Sequence, residues 1–188
     1  MRALVLLMVD TLGHLGMALL WLAPTWYFVD HRPTAALTVA GGVWFGLVPD
    51  VDLLLSRWFD GVHHHGVVHT VLAVTILAAV LGPVVGLAFK RLGERTGWVS
   101  DRASEQATAI GVLAVWIAGL SHLFADVLSA PDVSTRIEPL WPVVTGPLVT
   151  VDVLWYQSWL ATWGLFVLGV TVNILAWYWR RRNTAPAG

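Results

Sequence analysis

Long apolar stretches separated by short polar connections dominate the chain. Five of them are long or apolar enough to be predicted as membrane-spanning helices, and they cover residues 12–29, 34–48, 66–89, 107–128 and 155–179. A spanning helix needs ~20 residues, so the second stretch is short, although Pro33 and Pro49 mark its two ends. The pattern predicts an all-α protein, an integral membrane helical bundle of about five transmembrane helices. Residues 1–182 are expected to form a single domain, and residues 183–188 a disordered tail.

The composition is typical of a bilayer protein. Hydrophobic residues make up 57% of the 188 positions and charged residues only 12%, and the mean hydropathy is +0.70, which excludes an ordinary soluble domain. The chain has no cysteine, so any metal site must use imidazole and carboxylate groups. A net charge of -1 predicts no nucleic-acid partner.

The basic residues predict an orientation in the membrane. Eight of the eleven lysines and arginines fall in the connections 30–33 and 90–106 and in the segment after residue 179. Because basic residues accumulate on the cytoplasmic side, these segments are expected inside the cell. The N-terminus and the loops 49–65 and 129–154 are then outside. We therefore expect a multi-pass protein of the cell membrane, with its N-terminus outside and its C-terminus in the cytoplasm.

Histidines and aspartates from four predicted spans are expected at one level, on the outer side of the membrane. They are His14 in the first span, Asp50 and Asp52 after the second, His63, His64, His65 and His69 around the start of the third, and His122 and Asp126 in the fourth. His122 and Asp126 are four residues apart and so share one helix face, with roughly 5–6 Å between their Cβ atoms. Nitrogen and oxygen groups that converge from different helices are typical of a metal site.

Some of these residues also have simpler interpretations. A loop histidine such as His63 is usually hydrated and has no further role. Asp50 and Asp52 follow a proline and could form only a turn and a helix cap. For His122 and Asp126 the simpler interpretation is weaker, because ionisable side chains inside a span are costly and are usually functional.

Five short motifs follow one another along the chain. They read H-L-G at 14–16, L-V-P-D-V-D at 47–52, H-H-G-V-V-H-T at 64–70, G-L-S-H-L-F-A-D at 119–126 and E-P-L-W-P at 138–142. In this order and spacing they resemble the LexA-regulated, membrane-bound metal-dependent hydrolases, the YdjM-like inner-membrane proteins. His65 stands where that family usually has arginine, and Val68 stands where it has threonine. The resemblance implies hydrolysis with a bound metal and no particular substrate. The H-x-x-x-D helix is also similar to that of zinc-dependent phospholipase C, which points to phosphoester chemistry.

The leading hypothesis is a metal-dependent hydrolase at the outer membrane face, acting on a phosphoester of a lipid or another amphiphile. The expected metal ligands are His14, Asp50, His69, His122 and Asp126. Asp52 and His64 are assigned to catalysis, either completing a second metal site or orienting the ligands, and a carboxylate left over could act as general base. The expected cofactor is a divalent metal, zinc with manganese or iron as alternatives, bound as one or two ions.

The alternative is a metal-binding membrane protein without catalysis, either a structural bundle or a metal transporter. A transporter should place polar groups near the midplane and show a repeated half, and the sequence has neither feature. A structural site would have four ligands and no open position. The sequence leaves a structural site open as an alternative.

Overall fold

The computed structural model describes residues 2–129, 136–148, 155 and 158–183, and its regular elements are all helical. The α-helices are α1 (Arg2–Leu22), α2 (Thr25–Phe28), α3 (Arg32–Gly42), α4 (Val51–Leu55), α5 (Val71–Thr96), α6 (Asp101–Glu105), α7 (Ala107–Leu128) and α8 (Leu165–Asn183). Two 3-10 segments cover Val43–Leu47 and Val67–His69, and a π-helical segment, Leu160–Gly164, leads into α8. The predicted all-α class is confirmed. The predicted tail 183–188 lies, beyond residue 183, outside the described residues.

Three helices among the described residues are long and apolar enough to cross a membrane: α5, α7 and the helical run Leu160–Arg182. The predicted number of about five spans is not confirmed. The first predicted span is divided, because α1 ends at Leu22 and Pro24, which has no backbone N–H to donate, separates it from α2. In the second predicted span, α3 has only 11 residues and continues as the 3-10 segment Val43–Leu47.

The third predicted span begins later than the hydrophobic pattern suggests. Thr70 is the N-cap of α5, and its hydroxyl oxygen accepts a hydrogen bond from the backbone N–H of Ala73 at 3.1 Å. His69 therefore lies in the 3-10 turn just before the spanning helix and not inside it.

Helix α7 lies at the centre of the bundle. Half of the residues in its most apolar stretch are buried, against 22% in the corresponding stretch of α5. Where the two helices meet, a Cβ at Gly111 would overlap the carbonyl oxygen of Gly82 and would lie 2.6 Å from the backbone nitrogen of Gly86. Glycines on both helices thus let the two backbones approach closely, as in other membrane helix pairs. This close packing fixes the position of the C-terminal half of α7, which carries His122 and Asp126.

The two ends of the bundle differ in charge. At one end, Arg180 of α8 donates a hydrogen bond to the carbonyl oxygen of Val29 at 3.0 Å, and Thr34 of α3 donates to that of Trp98 at 3.1 Å. These contacts join the start of α3, the α5–α6 connection and the end of α8, which are the segments that carry most of the basic residues. At the opposite end α5 begins and α7 stops, and the candidate site lies there.

Candidate metal centre

Four parts of the chain bring ionisable side chains to the end of the bundle where α7 stops. Helix α7 supplies His122 and Asp126, one turn apart, and His122 lies about 9 Å from the C-terminal end of the helix. Asp50 precedes α4, His69 ends the 3-10 segment before α5, and His14 lies inside α1. The structure thus gathers all five predicted metal ligands at one end of the bundle.

Four of these residues place one atom each around a common point. The atoms are Nε2 of His69, Nε2 of His122, Oδ1 of Asp50 and Oδ2 of Asp126. The two nitrogens are 3.2 Å apart, the Asp50 oxygen lies 3.6 and 3.5 Å from them, and the Asp126 oxygen lies 3.6 and 3.2 Å from them. Two atoms bound ~2.1 Å from one tetrahedral ion would be about 3.4 Å apart. Each of these five separations is compatible with two ligands of one tetrahedral ion, and we call these four atoms the ligand cage.

The second ring nitrogen of each cage histidine lies close to an oxygen acceptor. Nδ1 of His122 lies 2.7 Å from the carbonyl oxygen of Gly46, which can only accept, so this nitrogen carries a proton. Nδ1 of His69 lies 3.0 Å from Oδ2 of Asp52, an ion-pair distance, although the two atoms do not have hydrogen-bond geometry. If both rings were neutral and protonated at Nδ1, the two Nε2 atoms would present lone pairs to each other at 3.2 Å, and either a proton on one ring or a metal ion between them would make the contact favourable. Carboxylate and carbonyl partners of this kind commonly orient metal-ligating histidines.

Buried carboxylate oxygens support the same interpretation. Oδ1 of Asp50 and both carboxylate oxygens of Asp126 are buried and accept no hydrogen bond within the described part of the chain. The Asp126 side chain is only 1% exposed. Burying an ionised carboxylate is costly unless a cation compensates it. The donor set of two imidazoles and two carboxylates suits a divalent ion such as zinc.

His14 and His65 lie beside the ligand cage. Nε2 of His14 is 3.5 Å from Oδ1 of Asp126, which is the oxygen outside the cage, and Nε2 of His65 is 4.0 Å from Oδ2. Three groups of the described residues could each hold an ion: His14 with His122 and Asp126; Asp50 and Asp52 with His64 and His69; and His64 and His65 with His69. The carboxylate of Asp126 could therefore serve one ion or bridge two.

Asp52 and His64, the residues assigned to catalysis, are in contact with each other. Nδ1 of His64 lies 3.0 Å from Oδ1 of Asp52, whose second oxygen holds His69. Asp52 is fully buried, while the His64 side chain is 20% exposed. Asp52 thus links a cage histidine to a partly exposed imidazole and does not itself supply a cage atom.

The carboxyl groups of Asp50, just before α4, and of Asp52, in its first turn, are held in their ionised form. Burial acts to raise the pKa of Asp50, but its contacts with the imidazoles of His122 and His69 outweigh burial and bring that pKa well below its usual range. Burial likewise acts to raise the pKa of Asp52, and the imidazoles of His64 and His69 lower it well below its usual range. Ionised carboxylates are the form that a metal ligand and a histidine-orienting group require.

A cavity adjoins the metal centre on the side of the histidine loop. His65 has a left-handed backbone conformation with φ 62°, which is uncommon for a residue other than glycine and is concentrated at functional sites. Its side chain contacts Asp126 and also lines the cavity, which has a volume of about 370 Å³. His63 lines the same cavity and is exposed, as expected for a hydrated loop histidine.

Sequence reasoning missed two parts of this site. Gly46 contributes a backbone carbonyl oxygen to His122, and a glycine in an apolar segment carries no signal for that contact. Arg136 and Glu138 line the cavity. The E-P-L-W-P motif includes Glu138, but its placement beside the histidine loop depends on tertiary packing that the spacing of motifs does not express.

Comparison with known proteins gives one match. The model of a family described as YdjM inner membrane protein matches residues 8–187, nearly the whole chain. No curated protein and no solved structure gives a significant match.

Proposed function

The chain belongs to the YdjM inner membrane protein family, and from the geometry of its metal centre we propose that it is a membrane-bound, metal-dependent hydrolase. The proposed substrate is a phosphoester of a lipid or another amphiphile. The observation that carries the proposal is the pair of Nε2 atoms of His69 and His122, 3.2 Å apart and flanked by the carboxylates of Asp50 and Asp126. A divalent cation would satisfy this arrangement, and zinc is the proposed ion, with manganese or iron as alternatives.

A divalent ion in the cage that took a water as an additional ligand would lower the pKa of that water towards ~7 and so supply hydroxide for attack on phosphorus. Asp50 is the most exposed member of the cage, at 15%, whereas the other three side chains are at most 1% exposed. Substrate therefore approaches from the side of Asp50 and the histidine loop. His14, which contacts the other oxygen of Asp126, is the proposed fifth ligand or the ligand of a second ion.

Asp52 and His64 are the proposed proton-transfer pair. If Nδ1 of His64 donates to Oδ1 of Asp52, the Nε2 atom of this neutral ring is left as a proton acceptor. The same carboxylate fixes the cage histidine His69, so one aspartate orients both a ligand and a base. A positioned general base of this kind accelerates proton transfer by about 100-fold or more.

A lipid substrate is favoured by the surface around this end of the bundle. Trp58 and Phe59, in the connection between α4 and the histidine loop, are 78% and 59% exposed, and Val67 is 59% exposed. Exposed tryptophan and other apolar side chains next to the metal centre suit the interface between headgroups and acyl chains. Most of the basic residues lie at the opposite end, so we propose that the site opens to the outer face, with the N-terminus outside and the C-terminus in the cytoplasm.

The second candidate function is a structural ion that clamps the bundle. It is favoured by one observation: the cage already offers four protein atoms at tetrahedral spacing, as structural zinc sites do. Such an ion would stabilise the protein and would need neither the His64–Asp52 pair nor the adjoining cavity.

The test uses detergent-purified protein, a panel of phospholipids and a chelator. We expect phosphoester hydrolysis that the chelator abolishes and added zinc restores. His69→Ala should lose both metal and activity. His64→Ala should keep its metal and lose about 100-fold or more in activity. Asp60→Asn, an exposed change in the connection that leads into the same loop and outside the lining of the cavity, is the control and should behave as wild type. A structural ion would instead give a chelator-induced fall in thermal stability, with no hydrolysis of any lipid in the panel.

A further inference from the structure

The cavity beside the metal centre is lined by charged groups of both signs. Its walls include His65, Gly66 and Val67 from the histidine loop and Arg136, Glu138 and Trp141 from the segment after α7. A volume of about 370 Å³ lies within the range of small-molecule sites. Arg136 and Glu138 form no ion pair with each other in the described residues. Their charges are therefore both available to a ligand.

The segment that carries these groups is anchored to the bundle. Ile137, between Arg136 and Glu138, is 4% exposed and packs against Val74 of α5 and Leu123 of α7. The carbonyl oxygen of Pro139 accepts a hydrogen bond from the backbone N–H of Val71, the first residue of α5, at 2.8 Å. Because Ile137 faces the core, its two charged neighbours are held at the surface of the cavity.

His65 connects this cavity with the metal centre. Its ring lines the cavity, and its Nε2 lies 4.0 Å from Oδ2 of Asp126, an atom of the ligand cage. Gly66, the next residue, has no room for a side chain, because a Cβ there would lie 2.8 Å from the carbonyl oxygen of His63. The loop is therefore closely folded at the point where the cavity meets the cage. Only the His65 side chain would separate a ligand in the cavity from Asp126.

The chemistry of the three side chains from the segment after α7 indicates what such a ligand carries. A guanidinium group binds phosphate through paired hydrogen bonds. A carboxylate attracts an ammonium group, and the face of a tryptophan ring favours the same cation. A purely anionic ligand would be repelled by Glu138. Val67, which lines the cavity, is 59% exposed and offers an apolar surface for acyl chains.

We propose that this cavity is a headgroup subsite for a phosphoester that also bears an ammonium group, with the phosphate on Arg136 and the cation on Glu138 and Trp141. This inference rests on the proposed hydrolase function and narrows its substrate class to zwitterionic phospholipids. The segment 136–141 would then select the substrate, and the ligand cage would hold the metal that hydrolyses it.

The test measures binding and hydrolysis separately. Titration calorimetry of the metal-loaded protein uses soluble short-chain lipids, dihexanoyl phosphatidylcholine and dihexanoyl phosphatidylglycerol, and free phosphocholine. Wild type should prefer the phosphatidylcholine. Glu138→Gln should reduce that preference by about tenfold, the effect of losing one charge-assisted contact, and should not weaken phosphatidylglycerol binding, since the charge that repels an anionic headgroup is removed. Arg136→Gln should weaken both lipids. Glu105→Gln and Arg102→Gln, at the opposite end of the bundle, are the matched controls.

The outcomes distinguish the headgroup subsite from the hydrolase function. Equal binding of the two lipids by wild type, or an unchanged preference in Glu138→Gln, would overturn the subsite, even if both lipids are hydrolysed in a metal-dependent manner. A Glu138-dependent preference without hydrolysis of either lipid would support the subsite and overturn the hydrolase function. Binding of free phosphocholine as tight as that of the lipid would support the same recognition chemistry and identify a soluble ligand as its source.

Discussion

The imidazole ring of His14 lies almost flat against that of His122, with ring centroids 3.7 Å apart and planes 16° from parallel. His122 places its Nε2 in the ligand cage, whereas His14 reaches Oδ1 of Asp126, the oxygen outside the cage, at 3.5 Å. Stacking from α1 thus supports the α7 histidine. The two rings should contribute unequally to metal binding.

Replacing each ring by alanine should separate these contributions. His122→Ala removes a cage atom and should abolish stoichiometric metal binding. His14→Ala removes a contact at the side of the cage and should lower the metal content only partly. Elemental analysis of the purified variants gives the metal-to-protein ratio. A ratio that falls from two ions to one in His14→Ala would assign His14 to a second ion, which Asp126 bridges. Complete loss in His14→Ala with retention in His122→Ala would contradict the cage.

Asp52 should act on the metal through His69. Its Oδ2 lies 3.0 Å from Nδ1 of His69, and Asp52→Asn keeps the shape of the side chain while removing its charge. The metal affinity should fall by about 10–100-fold, as is usual when the partner of a histidine ligand is changed. Competition with a chromogenic chelator measures this affinity.

Asp60→Asn, an exposed change in the same connection, is the control and should bind metal as wild type does. If Asp52→Asn holds no metal at any accessible concentration, Asp52 is itself a ligand, and the cage described above is incomplete.

Much of the site could be predicted because its residues stand at helical spacing or next to span ends. The four-residue separation of His122 and Asp126 expresses their shared helix face directly. His65 and His69 have the same four-residue spacing but share no helix face, because both precede α5, whose N-cap is Thr70. Their closeness to Asp126 comes from the folded loop, in which His65 takes a left-handed backbone conformation.

The number of spans could not be predicted from hydrophobicity alone. The apolar stretch 12–29 contains Pro24, where the helix breaks, although its residues on both sides are apolar. The stretch 34–48 changes from α to 3-10 geometry at Val43. This change places the carbonyl oxygen of Gly46 against His122, a contact that depends on backbone geometry and not on residue type.

The close packing of α5 and α7 should depend on Gly111. A Cβ there would overlap the backbone of Gly82, and neither helix can move without disturbing the rest of the interface. Gly111→Ala should therefore destabilise the protein by about 1–3 kcal/mol, the usual cost of overpacking. Thermal unfolding in detergent measures the change. Gly41→Ala is the control, because nothing lies within 4 Å of its added Cβ and alanine is favoured in helices. Equal stability of the two variants would contradict the close α5–α7 contact.

The membrane orientation can be tested without deciding how many spans precede α5. All three candidate spans, α5, α7 and Leu160–Arg182, lie between the exposed loop at Gly61 and the end of α8. An odd number of crossings places reporters at these two points on opposite sides of the membrane. Because most of the basic residues lie at the end of the bundle that includes Arg180–Arg182, a reporter fused after Arg182 should be cytoplasmic. It should be fluorescent as a green fluorescent protein and inactive as alkaline phosphatase. Alkaline phosphatase inserted after Gly61 should be active. Phosphatase activity from the fusion after Arg182 would reverse the orientation and move the metal centre to the cytoplasmic face.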